Sequence, residues 1–152
     1  SGLWGMYSGF ELCEGEPVPG KEEYLDSEKY QIKPRDYTAP GNIVYEIAQL
    51  NRIRRENPAL QTHLGVAFYP VHNERLLYFG KRTADRSNFI LVTINLDPFE
   101  AQEGAFELPL WELELPDDAS LQVEDLMSGH RWTWQGKPRH LPFAIWRIQP
   151  VR

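Results

Sequence analysis

The side chains richest in chemistry lie in one acidic stretch near the start of the chain. Glu11, Glu14, Glu16, Glu22, Glu23, Asp26 and Glu28 share a segment punctuated by Gly15, Pro17, Pro19 and Gly20. Two carboxyl groups held at a fixed separation can divide acid and base work, one protonated and one ionised. Spacing along a loop does not set such a separation, so these carboxylates read as solvated rather than catalytic. Cys13 has no evident activating partner that would lower its pKa and make it reactive. His63, His72, His130 and His140 show neither i, i+4 pairing on a helix nor zinc-ligand spacing to the cysteine. Trp111, Trp132, Trp134 and Trp146 could supply a sugar platform. Trp132 and Trp134 stand two apart and would share one face of a strand, which is more often a core face. Glycine-rich phosphate loops, nucleophile elbows and zinc motifs do not occur in the sequence. The reading is therefore of a chain with no catalytic residues of its own, no metal site and no cofactor.

Composition narrows the partners. The 152 residues carry a formal net charge of −6, with 41% apolar and 12% aromatic residues. A surface that binds nucleic acid needs clustered Lys and Arg to displace counterions from phosphates. The one dense basic group, Arg52, Arg54 and Arg55, sits where a helix should end and complements its dipole. Nucleic acid is not expected as a partner. No apolar run approaches the about 18 residues that cross a bilayer, so a membrane is not expected either. A lone cysteine cannot form an internal disulfide, which fits a reducing compartment such as the cytoplasm. The opening Ser1-Gly2-Leu3-Trp4-Gly5-Met6 has no basic region of a signal peptide. Lacking a natural start, it reads as cut from something longer.

The elements that must position these residues fall into two kinds. Before Pro40 there is a short apolar patch of Trp4, Met6, Tyr7 and Phe10, then the acidic loop to Tyr37. A turn at Pro40-Gly41-Asn42 opens a helix, with Asn42 as N-cap. Ile43, Ile47, Leu50 and Ile53 recur as one amphipathic stripe, and Asn57-Pro58 ends it. After Leu60 the period becomes two. Val66 and Phe68, with Leu64, pair as a hairpin with Arg75–Lys81, and Phe89–Ile94 reads as a central strand buried on both faces. Further strands are expected over Ala105–Leu108, Leu121–Leu126, Arg131–Trp134 and Phe143–Ile148. Twelve prolines and eleven glycines between short strands mark an antiparallel sandwich or barrel.

Several phrases resemble α-amylase-superfamily enzymes. Leu50-Asn51-Arg52-Ile53-Arg54-Arg55-Glu56-Asn57-Pro58-Ala59-Leu60 is similar to the close of their last barrel helix, and Gly5-Met6-Tyr7-Ser8-Gly9-Phe10-Glu11 looks like the eighth barrel strand and its turn. Within the superfamily, Glu23-Tyr24-Leu25-Asp26-Ser27-Glu28-Lys29-Tyr30 resembles a signature of the maltosyltransferases that extend α-1,4-glucans from maltose 1-phosphate. Phe10–Glu14, Lys33–Tyr37 and Pro142–Arg147 resemble that family too. The resemblance implies a mainly β fold: an antiparallel β-sandwich of the amylase C-terminal type in 61–152. It would be preceded in 1–60 by the last strand, loop and helix of a (β/α)8 barrel.

By the same resemblance the parent enzyme retains anomeric configuration. An aspartate expels phosphate from the donor, a paired carboxylic acid stands about 5–5.5 Å away, and the maltosyl unit passes to a glucan end. Those carboxylates would all lie upstream of Ser1, so this chain alone is expected to be non-catalytic. The positions that carry over are Lys29 and Tyr30, expected to contact the donor sugar: an ammonium can donate to hydroxyls and a phenol offers a face and a polar tip. α-Glucan and maltose 1-phosphate are the implied partners, and a homodimer is admitted. One departure is Gly136–Pro142, a connection shorter than the family's, through tightness or through residues left out near 139–142. It bears on how the last two strands pair. The rivals are a sister enzyme (a trehalose synthase or α-glucan hydrolase) and a stand-alone carbohydrate-binding sandwich.

Overall fold

The computed structural model describes residues 4–25, 32–136, 138–140 and 144–150. Asparagines at both ends delimit the helix α1 (Val44–Glu56). Asn42 accepts the Val44 N–H at 3.0 Å and donates to the Ala39 carbonyl at 2.7 Å. At the exit the Asn57 amide donates to the Ile53 carbonyl at 2.7 Å, satisfying one of the carbonyls that a helix end leaves unpaired. Pro58, which cannot continue the ladder, opens a 3-10 turn over Pro58–Leu60. The chain divides into two units, Leu3–Arg52 and Ile53–Arg152, the division falling within α1.

Among the described residues of Ile53–Arg152 eight strands follow: β1 (Val66–Phe68), β2 (Leu76–Arg82), β3 (Phe89–Asn95), β4 (Ala105–Glu107), β5 (Ser120–Asp125), β6 (Arg131–Gln135), β7 (Pro138–His140) and β8 (Ala144–Pro150). Six form an antiparallel sheet in the order β1-β2-β3-β8-β5-β6, and β4 pairs with β7 in a second, two-stranded sheet. The expected hairpin is β1–β2, and the expected central strand is β3, whose Phe89 to Thr93 are all buried.

Register explains which side chains meet. Gly80, Leu91 and Trp146 lie opposite one another across β2, β3 and β8. Phe89, Ile148 and Val123 continue the same face across β3, β8 and β5, and Leu121 and Trp134 extend it onto β6. This face packs with Phe106, Leu108 and Leu110 into one buried cluster, with Tyr69, Val71 and Leu113 at its margin. Burying a side chain such as Leu91 contributes about 1.5–3 kcal/mol, and the cluster holds the two layers together. The aromatic members interlock: Tyr78 and Phe106 have ring centres 4.7 Å apart, and Trp134 meets Trp146 edge-on at 5.6 Å.

Four features differ from the sequence reading. Leu64, Val66 and Phe68 are exposed, Phe68 at 66%: Leu64 precedes β1, and in that edge strand Val66 and Phe68 alternate with Ala67, which lies opposite Gly80. β7 was not expected, since Pro138 cannot donate to a ladder and Arg139 carries little strand preference. The last two long strands do not pair with each other: β5 stands between β6 and β8. Finally, core is the right reading for Trp134, at 8% exposure, and Trp146, but not for Trp132 at 44% or Trp111 at 51%. Trp132 stacks on Trp134 along the edge strand β6, and Trp111 sits on a 3-10 turn, Leu110–Leu113.

Candidate functional site

Among the described residues of the acidic loop, an ion cluster in the unit Leu3–Arg52 ties Glu14 to Lys33 and Arg35. A 3-10 turn, Phe10–Leu12, is bracketed by Gly9 and Cys13, both in the left-handed region. That turn brings Glu14 back toward the chain before it. Arg35 donates to Glu14 from Nε at 3.2 Å and from Nη2 at 3.2 Å, and Lys33 adds a bond at 3.3 Å. The Arg35 side chain, only 5% exposed, also reaches the Ser8 hydroxyl at 3.1 Å. Gly9 is required here: its φ is +99°, and a Cβ would stand 2.4 Å from the Glu14 carboxylate.

The Arg35 hydrogen bond holds the Glu14 carboxyl below its usual range. Partial desolvation opposes this, and Lys33 reinforces Arg35. Glu14 is thus ionised at neutral pH and cannot serve as a general acid. Lys33 and Arg35 face Glu14, and Glu16 lines a groove with all three, so the two cations are matched by two carboxylates. Beside this cluster the rings of Tyr7 and Tyr24 stack with centres 6.0 Å apart and planes 22° from parallel, both half exposed. Together these residues line the groove, of about 420 Å³, with Leu12, Cys13 and Leu25. Its volume falls in the range of about 300–1,000 Å³ common for small-molecule sites. Stacked phenols, a hydroxyl and guanidinium and ammonium groups can hold a polyhydroxylated or anionic ligand. They do not form an acid–base pair.

Lys29 and Tyr30 lie outside the described residues, as does Asp26. Tyr24 and Leu25 on one side of that block and Lys33 and Arg35 on the other line the groove. Of the loop carboxylates, Glu14 and Glu16 line it, while Glu11 accepts the Gly9 N–H at 3.2 Å. Sequence reasoning missed the Glu14–Lys33–Arg35 cluster. Its one legible signal is that Lys33 and Arg35, two apart, follow a run of carboxylates with few cations of its own.

His63, His72 and His130 are exposed, and the His130 ring is 2.9 Å from the Ser128 hydroxyl. Among the described residues no group of three or more His, Cys, Asp or Glu is placed to hold a metal ion. In the unit Ile53–Arg152, Lys81 is buried and donates to the Thr62 carbonyl. Desolvation lowers its pKa, and the nearby Arg54 charge adds to the effect.

Comparison with known proteins supplies what geometry does not. Residues 68–143, half of the chain, match the family model described as "GLGE, C-terminal". The chain is 72% identical, over 99% of its length, to the alpha-1,4-glucan:maltose-1-phosphate maltosyltransferase of Pseudomonas aeruginosa, of which it covers 24%. It is 50% identical over 99% of its length to the protein of that name from Rhodospirillum rubrum, covering 23% of it. For that of Cereibacter sphaeroides the identity is 49%, over 97% of the chain and 23% of the relative. The chain thus spans about a quarter of the length of the curated relatives it matches. With a sandwich fold and a matching stretch that runs from the last residue of β1 to the residue before β8, the chain belongs to the GLGE C-terminal family.

Proposed function

We propose that this chain serves as the C-terminal, non-catalytic region of a retaining maltosyltransferase that moves maltosyl units from maltose 1-phosphate to α-1,4-glucan. The observation that carries the reading is identity along 99% of the chain to a transferase about four times as long. In this reading 1–60 form the last strand, loop and helix of the catalytic barrel, and 61–152 the sandwich that follows. Lys29 and Tyr30 contact the donor sugar. The described residues flanking them, Tyr24, Leu25, Lys33 and Arg35, line the tyrosine-walled groove, which supports this placement. Loops at the C-terminal ends of barrel strands are where such folds build their sites. The attacking aspartate and the acid–base glutamate belong to parts of the transferase outside this chain. The Arg35–Glu14 cluster acts as a brace that sets the loop's path. A cytoplasmic location agrees with the lone exposed thiol of Cys13. Among the described residues no helix is long and apolar enough to cross a membrane.

The test is release of inorganic phosphate from maltose 1-phosphate with a malto-oligosaccharide acceptor. This chain would be run beside the complete gene product that contains it. An active gene product and a silent chain are expected, with Lys29→Ala raising the KM for donor more than it lowers kcat. Silence of both would sink the donor assignment, and turnover by the chain alone would sink the non-catalytic reading.

A further inference from the structure

Within the unit Ile53–Arg152, a second groove of about 420 Å³ runs along the margin of the sandwich. Its principal side chains are Tyr69, Pro70, His72, Phe106, Glu107 and Trp111. We propose that it is a seat for an α-1,4-glucan chain, with the Trp111 indole as the stacking face and Glu107 and His72 as partners for sugar hydroxyls. The inference rests on the reading of this chain as part of a glucan-elongating enzyme. It adds a binding site on the sandwich itself.

Three observations point to a built site rather than a stray surface tryptophan. First, Trp111 is exposed yet held. It projects from the Leu110–Leu113 turn, which is pinned by the fully buried Leu108, Pro109 and Leu110 and closed by Glu114 in the left-handed region at φ 56°. Second, the indole is steadied edge-on by Tyr69, ring centres 6.0 Å apart, and Tyr69 is itself fixed twice over. Its hydroxyl donates to Glu112 at 3.2 Å, Glu112 accepts from Arg82 Nε at 2.8 Å, and its ring packs on Tyr78 at 5.4 Å. An aromatic face that is already immobile loses little freedom on binding. Third, the groove joins an apolar floor, where Phe106 is buried, to a polar rim where Glu107 and His72 are exposed.

That combination suits a pyranose. The C–H face of the ring covers an indole, while its hydroxyls donate to a carboxylate and exchange hydrogen bonds with an imidazole. A purely apolar occupant would leave Glu107 and His72 facing nothing of their own kind. The acidic rim likewise disfavours a phosphorylated one, so the neutral acceptor polymer fits where the anionic donor does not.

The experiment uses the complete gene product, in native gels cast with and without soluble amylopectin and in kinetics against long and short acceptors. Trp111→Ala should lose retardation in the polysaccharide gel, with glucan binding weakened about tenfold or more. Its apparent KM should rise for long glucan, with kcat and the KM for maltose 1-phosphate unchanged. Trp111→Tyr should retain part of the retardation, and Trp132→Ala, which removes another half-exposed indole, should retain all of it. Far-UV circular dichroism identical to the parent's excludes unfolding of the variants. Unchanged retardation of Trp111→Ala overturns the proposal. So does protection of Trp111 from hydroxyl-radical oxidation in the protein without glucan, because the groove would then be filled by another part of the polypeptide. Phosphate release from maltose 1-phosphate separates the two readings: turnover without a Trp111 effect removes only the seat, and a Trp111-dependent retardation without turnover removes only the donor assignment.

Discussion

Gly80 offers a sharp test of how tightly the sandwich is filled. It lies within β2, opposite Ala67 on one side and Leu91 on the other, and its φ is not positive, so alanine meets no backbone strain there. A Cβ would come within 2.9 Å of Tyr69 Cε2, 3.0 Å of Leu91 Cδ2 and 3.0 Å of Phe89 Cε2. Carbon pairs rest comfortably at about 3.5–4.0 Å, so each neighbour must retreat by about 0.5–1 Å. None retreats freely. Phe89 and Leu91 belong to the buried cluster, and Tyr69 is tied to Glu112. Overpacking of this kind costs about 1–3 kcal/mol. Replacing a glycine in a strand returns about 0.5–1 kcal/mol of backbone entropy. At mid-range, about 2 less about 0.75 kcal/mol, Gly80→Ala should therefore destabilise by about 1.3 kcal/mol net, a fall in Tm of about 5–10 °C for a domain of this size. Thermal and urea unfolding followed by tryptophan fluorescence give the value. Adding Leu91→Val, which trims the cross-strand partner, should recover part of the loss through coupling. A stability equal to or above the parent's refutes the crowding argument, as does a double variant whose loss is the plain sum of the two.

Two further outcomes follow from the same unit. Trp134→Ala should cost about 3–5 kcal/mol by emptying a core site, and Trp132→Ala less than half of that; urea midpoints in the reverse order would show that the core has been misplaced. Glu124 bridges Arg131 at 3.2 Å and also pairs with Arg147. Desolvation works to raise its pKa, but the Arg147 and Arg131 bonds outweigh it and lower it from 4.5. Its stabilising effect is then full above pH 4.5 and is lost as pH falls through the lower folded value. Glu124→Gln should flatten that acid limb, and an unaltered slope below pH 4.5 would rule the linkage out.

What could be read from the chain divides along the distance over which a signal acts. Ile43, Ile47, Leu50 and Ile53 announce their helix because an i, i+4 stripe is local, and Asn42 and Asn57 mark its ends within a turn of the chain. The Phe89–Ile94 run announces a strand buried on both faces because two-sided burial needs no alternation. The placement of β8 between β3 and β5 leaves no such mark, since pairings across more than fifty residues depend on the whole sheet. Val66 and Phe68 alternate as a core-facing strand would, but alternation cannot tell a covered face from an open one at a sheet edge. In the groove of the acidic loop, Tyr7 and Tyr24 meet only because the loop returns on itself, and Glu14 finds Arg35 twenty-one residues away. The assignment of Lys29 and Tyr30 came from resemblance alone. The groove at Trp111 was hidden for a different reason: its platform rides on a 3-10 turn, where neither strand nor helix periodicity speaks.

The position of β8 has a consequence for how the chain is made. β2 and β3 can close as neighbours while the ribosome is still working, and so can β5 and β6. Within the six-stranded sheet the two halves cannot join until Ala144–Pro150 has been synthesised, because among the described residues that segment alone bonds to both β3 and β5. Until then β3 and β5 each present an open row of amides and carbonyls, the kind of edge that recruits a neighbouring chain. Nascent protein stalled before Ala144 is therefore an aggregation hazard. The six-stranded sheet closes as a late zipper once β8 has been made, rather than growing strand by strand.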